Sequence, residues 1–173
     1  SLMFRHEPHG PQIDAVVRML RESVKLAEDC GVVLAIENHI DYTSAEILEI
    51  LERVDSPALK VNFDTGNTLR MMEDPVAAAR RLGPYTVATH TKDVDACRHV
   101  RPEEWYFFSS VPVGTGLIDI PGVVRELKQA GYTGILAVES DHHKDNQDED
   151  KLVAESIAYL KQLVADVSSG VSP

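Results

Sequence analysis

The sequence predicts an α/β fold built on parallel strands, and three observations carry that reading. Four short runs rich in β-branched and aliphatic residues are separated by stretches with helical spacing. The first three runs recur about 26 residues apart, the length of one strand-plus-helix unit. Each run also ends in a glutamate, aspartate or histidine. Strands that alternate with helices pair in parallel through right-handed crossovers, which places all four of those side chains at one end of a sheet.

The elements follow in order. Leu2-Met3-Phe4 reads like the tail of a strand, with Ser1 where an initiator methionine is expected. Ile13, Val16, Val17, Leu20, Val24 and Ala27 recur at helix spacing, and Gly31 follows as a stop. Val32-Val33-Leu34-Ala35-Ile36 is the first strand. Thr43-Ser44-Ala45-Glu46 is a capping box ahead of Ile47, Leu48 and Leu51. Leu59-Lys60-Val61-Asn62-Phe63 is the second strand, and Asp74-Pro75 opens the next helix. Tyr85-Thr86-Val87-Ala88-Thr89 is the third strand. The connection from Asp93 to Gly116 lacks periodicity and carries Trp105-Tyr106-Phe107-Phe108, readable as a lid or as a loop packed on its own fold. Ile120-Pro121 opens a helix that stops at Gly131, Ile135-Leu136-Ala137-Val138 is the fourth strand, and Val153, Ile157, Leu160, Val164 and Val167 mark a last amphipathic helix.

Composition bounds the function. The 173 residues suit a single domain, 1–173, with 43% hydrophobic and 26% charged residues. No apolar run approaches the roughly 20 residues that span a bilayer, so no membrane partner is expected. A net charge of −11 repels phosphodiester backbones, and Arg80-Arg81 is the longest basic run, so no nucleic-acid partner is expected either. Cys30 and Cys97 form no framework and have no metal-type spacing, which fits a reducing, cytoplasmic setting.

Glu37 follows Ile36, Asp64 follows Phe63, His90 follows Thr89 and Glu139 follows Val138. In parallel α/β folds the carboxyl ends of strands surround the ligand site. Any one acidic residue there is more often a helix cap or an ion-pair partner, but the recurrence in four successive units points to shared ligation. Carboxylates with one imidazole suit a single divalent ion: Mg²⁺, Mn²⁺, Co²⁺ or Zn²⁺. Around them stand His39, Asn67 and Lys92 as candidates to hold substrate. Gly66 would let backbone approach a ligand, and His142 and His143 are weaker candidate ligands in a polar loop.

Ile36-Glu37-Asn38-His39, Asn62-Phe63-Asp64-Thr65-Gly66-Asn67, His90-Thr91-Lys92-Asp93, Val113-Gly114-Thr115-Gly116 and Gly131-Tyr132-Thr133-Gly134 with Val138-Glu139 resemble the xylose-isomerase-like superfamily, in its sugar-phosphate isomerase/epimerase branch. The resemblance runs from about Ile13 to Leu163. It implies a (β/α)8 TIM barrel of which this chain is the C-terminal portion, strands five to eight, and a metal held by Glu37, Asp64, His90 and Glu139. It also implies that Glu37 and Glu139 serve as the acid/base pair. The pattern departs from the 3-epimerases at Asn67, where they carry histidine, and at Ala96, where they carry arginine, with Arg98 nearby.

The expected activity is a metal-dependent isomerase or epimerase that abstracts a proton next to the carbonyl of a sugar or polyol. The alternative is an inosose-type dehydratase on the same site. An apurinic-type endonuclease ranks third, because that branch needs more histidines than these seven and a less acidic surface. Half a barrel would leave open strand edges and a bulky apolar barrel-facing surface, from which a homo-oligomer is expected.

Overall fold

A computed structural model describes residues 7–97, 108–141 and 147–169. Leu2-Met3-Phe4, Arg98, Trp105-Tyr106-Phe107, His142 and His143 lie outside the described residues. The chain begins with α1 (His9–Cys30), which ends as Gly31 turns left-handed at φ 64° and donates its N–H back to Ala27 and Glu28. Strand β1 (Leu34–Glu37) leads to α2 (Ser44–Val54), opened by the expected capping box: Thr43 accepts from the Glu46 amide while Glu46 accepts from the Thr43 amide. Strand β2 (Leu59–Asp64) runs directly into a short helix α3 (Thr65–Arg70), then α4 (Pro75–Leu82) capped by Asp74, and a single 3₁₀ turn. Strands β3 (Thr86–Thr91), β4 (Asp93–Ala96) and β5 (Phe108–Val111) precede α5 (Ile120–Gln129), β6 (Ala137–Val138) and α6 (Glu149–Ser169).

The main sheet is parallel, in the order β1-β2-β3-β6, which makes this an α/β, TIM-barrel-like sheet of four strands. Among the described residues, the outer edges of β1 and β6 pair with no further strand. Leu59, Val61 and Phe63 of β2 are buried against the helical layer, together with Ile47, Ile50, Ala79, Leu82, Val123 and Leu127. Alternation then sends Lys60, Asn62 and Asp64 to the other face. Register aligns Ala35 with Lys60, Glu37 with Asn62 and Ala88, and Asp64 with His90 and Ala137, so these side chains share that face.

Several expectations need correction. The barrel-facing surface is not bulky and apolar: below the site it carries Ala35, Lys60, Asn62, Ala88 and Ala137, small or polar side chains that are exposed or half-buried. Val32, Val33 and Ile135, read as strand, precede β1 and β6 and are 52%, 51% and 81% exposed. The buried stripe of α6 runs through Leu152, Ser156, Leu160 and Leu163, leaving Ile157 and Val164 on its flank. The long connection is anchored at both ends by an antiparallel pair, β4 with β5. Asp93, at the root of that pair, accepts from the amides of Val94, Gly114, Gly116 and Ile118. A side chain at Gly116 would collide with the Asp93 carboxylate, which explains the glycine there.

Candidate metal centre

The sheet brings the four predicted residues to one end. Asp64 is fixed first. It is 0% exposed, and its backbone is clasped by Asn38, whose side chain donates to Asp64 O and accepts from Asp64 N, both at 2.7 Å. Asp64 Oδ1 then caps α3, accepting from the amides of Gly66 and Asn67 at 2.8 Å. Its second oxygen, Oδ2, is buried and accepts no hydrogen bond. Directly beside it in register stands His90.

One ligand atom each from Glu37, Asp64 and His90 lies within 4.8 Å of the others. His90 Nδ1 is 3.7 Å from Glu37 Oε1, 3.9 Å from Asp64 Oδ2 and 3.2 Å from Glu139 Oε2. Glu139 sits one residue past β6, its amide still paired to Thr91 O, and its Oε2 is a second buried oxygen without a hydrogen bond. Asn62 Nδ2 lies 3.1 Å from His90 Nε2 and 3.4 Å from Nδ1. With the amide oxygen turned there instead, Nε2–H donates to Asn62 and Nδ1 keeps its lone pair toward the carboxylates.

Lys92 is the counter-charge. Two residues past His90 it is aimed the same way, yet it is 2% exposed. Its Nζ lies 3.3 Å from Asp64 Oδ2, 3.2 Å from Glu139 Oε2 and 3.1 Å from Asp141 Oδ2. Its stem fills the space over Gly66, where a methyl group would meet Lys92 Cδ at 2.8 Å; the glycine admits this side chain rather than a ligand. Asn67, also nearly buried, donates to Glu37 Oε1 at 3.2 Å. Of the three residues read as substrate-holding, Asn67 and Lys92 thus stand behind the carboxylates, while His39 is half-exposed and 3.5 Å from Asp41 Oδ2.

Burial pushes the Asp64 carboxyl up to about 7, against the Lys92 charge and the Asn67 amide, with Glu139 adding to the rise. Burial also opposes ionisation of Glu139, but the neighbouring Asp64 carboxyl and the Lys92 charge outweigh it and hold Glu139 below its ordinary value. The two carboxyls act as one proton-holding pair. For Lys92, burial is outweighed by Asp64, Asp141 and Glu139, and its ammonium is held above the usual range.

Asp141 and Arg70 were missed by the sequence reading. Arg70 Nη1 and Nη2 donate to the two Asp141 oxygens, both at 3.1 Å, and Nη1 also reaches Asn67 Oδ1 at 3.3 Å. Burial of Asp141 is outweighed by Arg70 and Lys92, which keep it ionised well below the usual carboxylate range. The available signal was spacing: Asp141 is two residues beyond Glu139, so the alternation that aims one aims both.

A metal-competent cluster at the carboxyl ends of parallel strands defines the class as an α/β protein with a barrel-type strand-end site. The comparisons narrow it. Residues 4–163 match the family described as xylose isomerase-like TIM barrel, and the chain belongs to that family. It is similar to the uncharacterized protein MJ1311 of Methanocaldococcus jannaschii, 26% identical over 85% of this chain and 50% of that protein. It also resembles a 3-oxo-isoapionate decarboxylase of Pectobacterium atrosepticum (29%, covering 73% and 46%) and an inosose dehydratase of Clostridium beijerinckii (27%, covering 68% and 43%). The chain spans about half the length of the curated relatives it matches.

Solved structures repeat the fold. A xylose isomerase domain protein from Planctomyces limnophilus superposes with a TM-score of 0.75 at 24% identity, over 94% of this chain and 56% of that one. A xylose isomerase-like TIM barrel protein from Mycobacterium smegmatis, in complex with magnesium, gives 0.71 at 23% identity over 96% and 54%. The IOLI protein with a bound zinc atom gives 0.70 at 18% identity over 89% and 56%. Neighbours of this fold therefore bind magnesium or zinc. No helix among the described residues is long and apolar enough to cross a membrane.

The donor set fits a divalent ion on this structure's own terms: two buried carboxylate oxygens lack hydrogen bonds and face an imidazole nitrogen. A proton on the Asp64–Glu139 pair competes with such an ion. Apparent metal affinity should hold steady above about pH 8 and fall by up to about tenfold per unit below about pH 7. Titration calorimetry across that range reads it directly, and an affinity unchanged from about pH 5 to 8 would remove Asp64 from the ligand set.

Proposed function

We propose that the protein is a metal-dependent isomerase or epimerase that removes a proton next to the carbonyl of a sugar or polyol substrate. We take residues 1–173 as part of one barrel domain, with Glu37, Asp64, His90 and Glu139 as ligands. The observation that supports this most directly is the pair of partly open carboxylates, Glu37 and Glu139, flanking His90 Nδ1 at 3.7 and 3.2 Å beside fully buried Asp64. Four carboxylates, counting Asp141, against the two cations Lys92 and Arg70 leave a formal −2, which a dication neutralises. When bound, the ion supplies a Lewis acid that stabilises the enediolate left by proton removal.

The side chains supply the proton traffic. Glu139 takes the proton from the substrate carbon and Glu37 delivers one to the other face, or each reverses its part. Asn67 holds Glu37 in place through its amide, and Asp64 keeps a single oxygen turned into the site. His39, half-exposed beside Asp41, would meet substrate hydroxyls.

Dehydration is a second reading, and Asn67 favours it. The 3-epimerase pattern puts a histidine there to hold substrate, whereas this asparagine is buried against Glu37. Relatives similar to this chain include an inosose dehydratase. The first proton abstraction is shared, and β-hydroxide then departs with a proton from the carboxyl pair. Turnover of ketoses and inososes in D₂O with Mg²⁺, Mn²⁺, Co²⁺ and Zn²⁺ tests both. Deuterium at the carbon next to the carbonyl is expected, with loss of water marking the dehydratase. Turnover without exchange, or undiminished by chelator, would sink the proposal.

A further inference from the structure

We infer that Asp141 is a positioning residue whose task is to take up the Lys92 ammonium when a cation displaces it from Asp64 and Glu139. The inference rests on the metal reading of the site. Lys92 is nearly buried, carries a full charge and stands among three carboxylates at 3.1–3.3 Å. Two of these, Asp64 Oδ2 and Glu139 Oε2, are the oxygens that receive no hydrogen bond. Its best-aligned hydrogen bond goes to the third, Asp141 Oδ2, while Asp64 and Glu139 face the same ammonium as ion pairs. A buried ammonium beside unsatisfied carboxylate oxygens is a direct competitor for any cation that would use them. With three N–H donors the ammonium can serve all three carboxylates, and Asp141 is the one that keeps it when a cation takes the other two.

Asp141 is built for the purpose. It hangs one strand step beyond Glu139, and four donors converge on its two oxygens: Arg70 Nη1 and Lys92 Nζ on Oδ2, Arg70 Nη2 and Ser110 Oγ on Oδ1, all at 3.1 Å. Its own amide donates back to Ser110 Oγ at 2.9 Å. These partners come from α3, the β3–β4 junction and β5, so the carboxylate is fixed from three sides and cannot follow Lys92 inward. Its charge is doubly compensated, which lets it stay ionised in a half-buried position.

Isothermal titration of the protein with Mn²⁺ and Mg²⁺ tests this. Asp141→Asn should weaken binding by about 10–100-fold, the usual consequence of losing a partner behind the ligands. Adding Lys92→Met to that variant should recover most of the loss, and Asp141→Glu should fall between it and the wild type. A merely structural or long-range charge effect of Asp141 would cost the same affinity with or without Lys92, and that outcome overturns the inference while leaving the metal site standing. A wild type that binds neither ion would sink the metal reading and the inference with it. If Asp141→Asn does not fold, Arg70→Gln, which removes two of its four donors, enters the same cycle with the same expectation.

Discussion

Glu139→Gln is expected to retain a divalent ion and yet lose about 10²–10⁴-fold in kcat at saturating metal. An amide keeps the volume and one oxygen of the carboxylate, so an ion held by Asp64, Glu37 and His90 still has its other partners. What it cannot do is accept a proton from carbon. The geometry makes the loss specific: Glu139 Oε2 is buried, receives no hydrogen bond and stands 3.2 Å from both His90 Nδ1 and Lys92 Nζ. Its carboxyl is held below its ordinary value, so near neutral pH it is in the form a base requires. Steady-state kinetics on the substrate identified by the turnover screen measures the effect. A fall of less than about tenfold at saturating metal would take the base role away from Glu139.

Asp64→Asn should be the more damaging change to the ion itself, with affinity lowered by more than the roughly 10–100-fold typical of groups behind the ligands. The substitution separates the residue's two jobs. An asparagine oxygen can still accept from the Gly66 and Asn67 amides, so α3 and the fold should survive. Its amide nitrogen, however, would replace the free oxygen with a donor, pointed at Lys92 Nζ, which now lies 3.3 Å away. Circular dichroism should stay native while calorimetric titration loses its metal signal. Retention of full affinity would mean that the ion, if bound, is held without Asp64.

The strand cores were legible because β-branched residues cluster in them, and the capping box at Thr43–Glu46 because its reciprocal bonds need fixed residue types. The site positions were legible because each follows a strand by one residue. Helix α3 was not: at six residues, Thr65–Arg70 is too short for any apolar period, and its stability comes from Asp64 and from Thr65, which is hydrogen-bonded to the Lys92 backbone. Strand β4 was hidden because Asp93-Val94-Asp95-Ala96 reads as polar, and its partner β5 lies far along the chain. Lys92 reads from sequence as either a substrate contact or a strand-end ion pair, because sequence cannot show that three carboxylates enclose it. The ion pair of Arg70 carried no local sign, since Asp141 is 71 residues away.

The capping of α3 by Asp64 has a consequence for ion selectivity. One of its oxygens is committed to two backbone amides, so in the proposed centre this carboxylate offers a single donor atom and cannot chelate through both. Calcium is accommodated by six to eight oxygens, commonly including a carboxylate that binds through both of its own, at about 2.3–2.6 Å. Magnesium, at about 2.0–2.1 Å, and the borderline ions that accept imidazole need fewer and shorter bonds. By tying up half of its most buried ligand, the helix cap tilts the centre toward small dications and away from calcium, the larger ion.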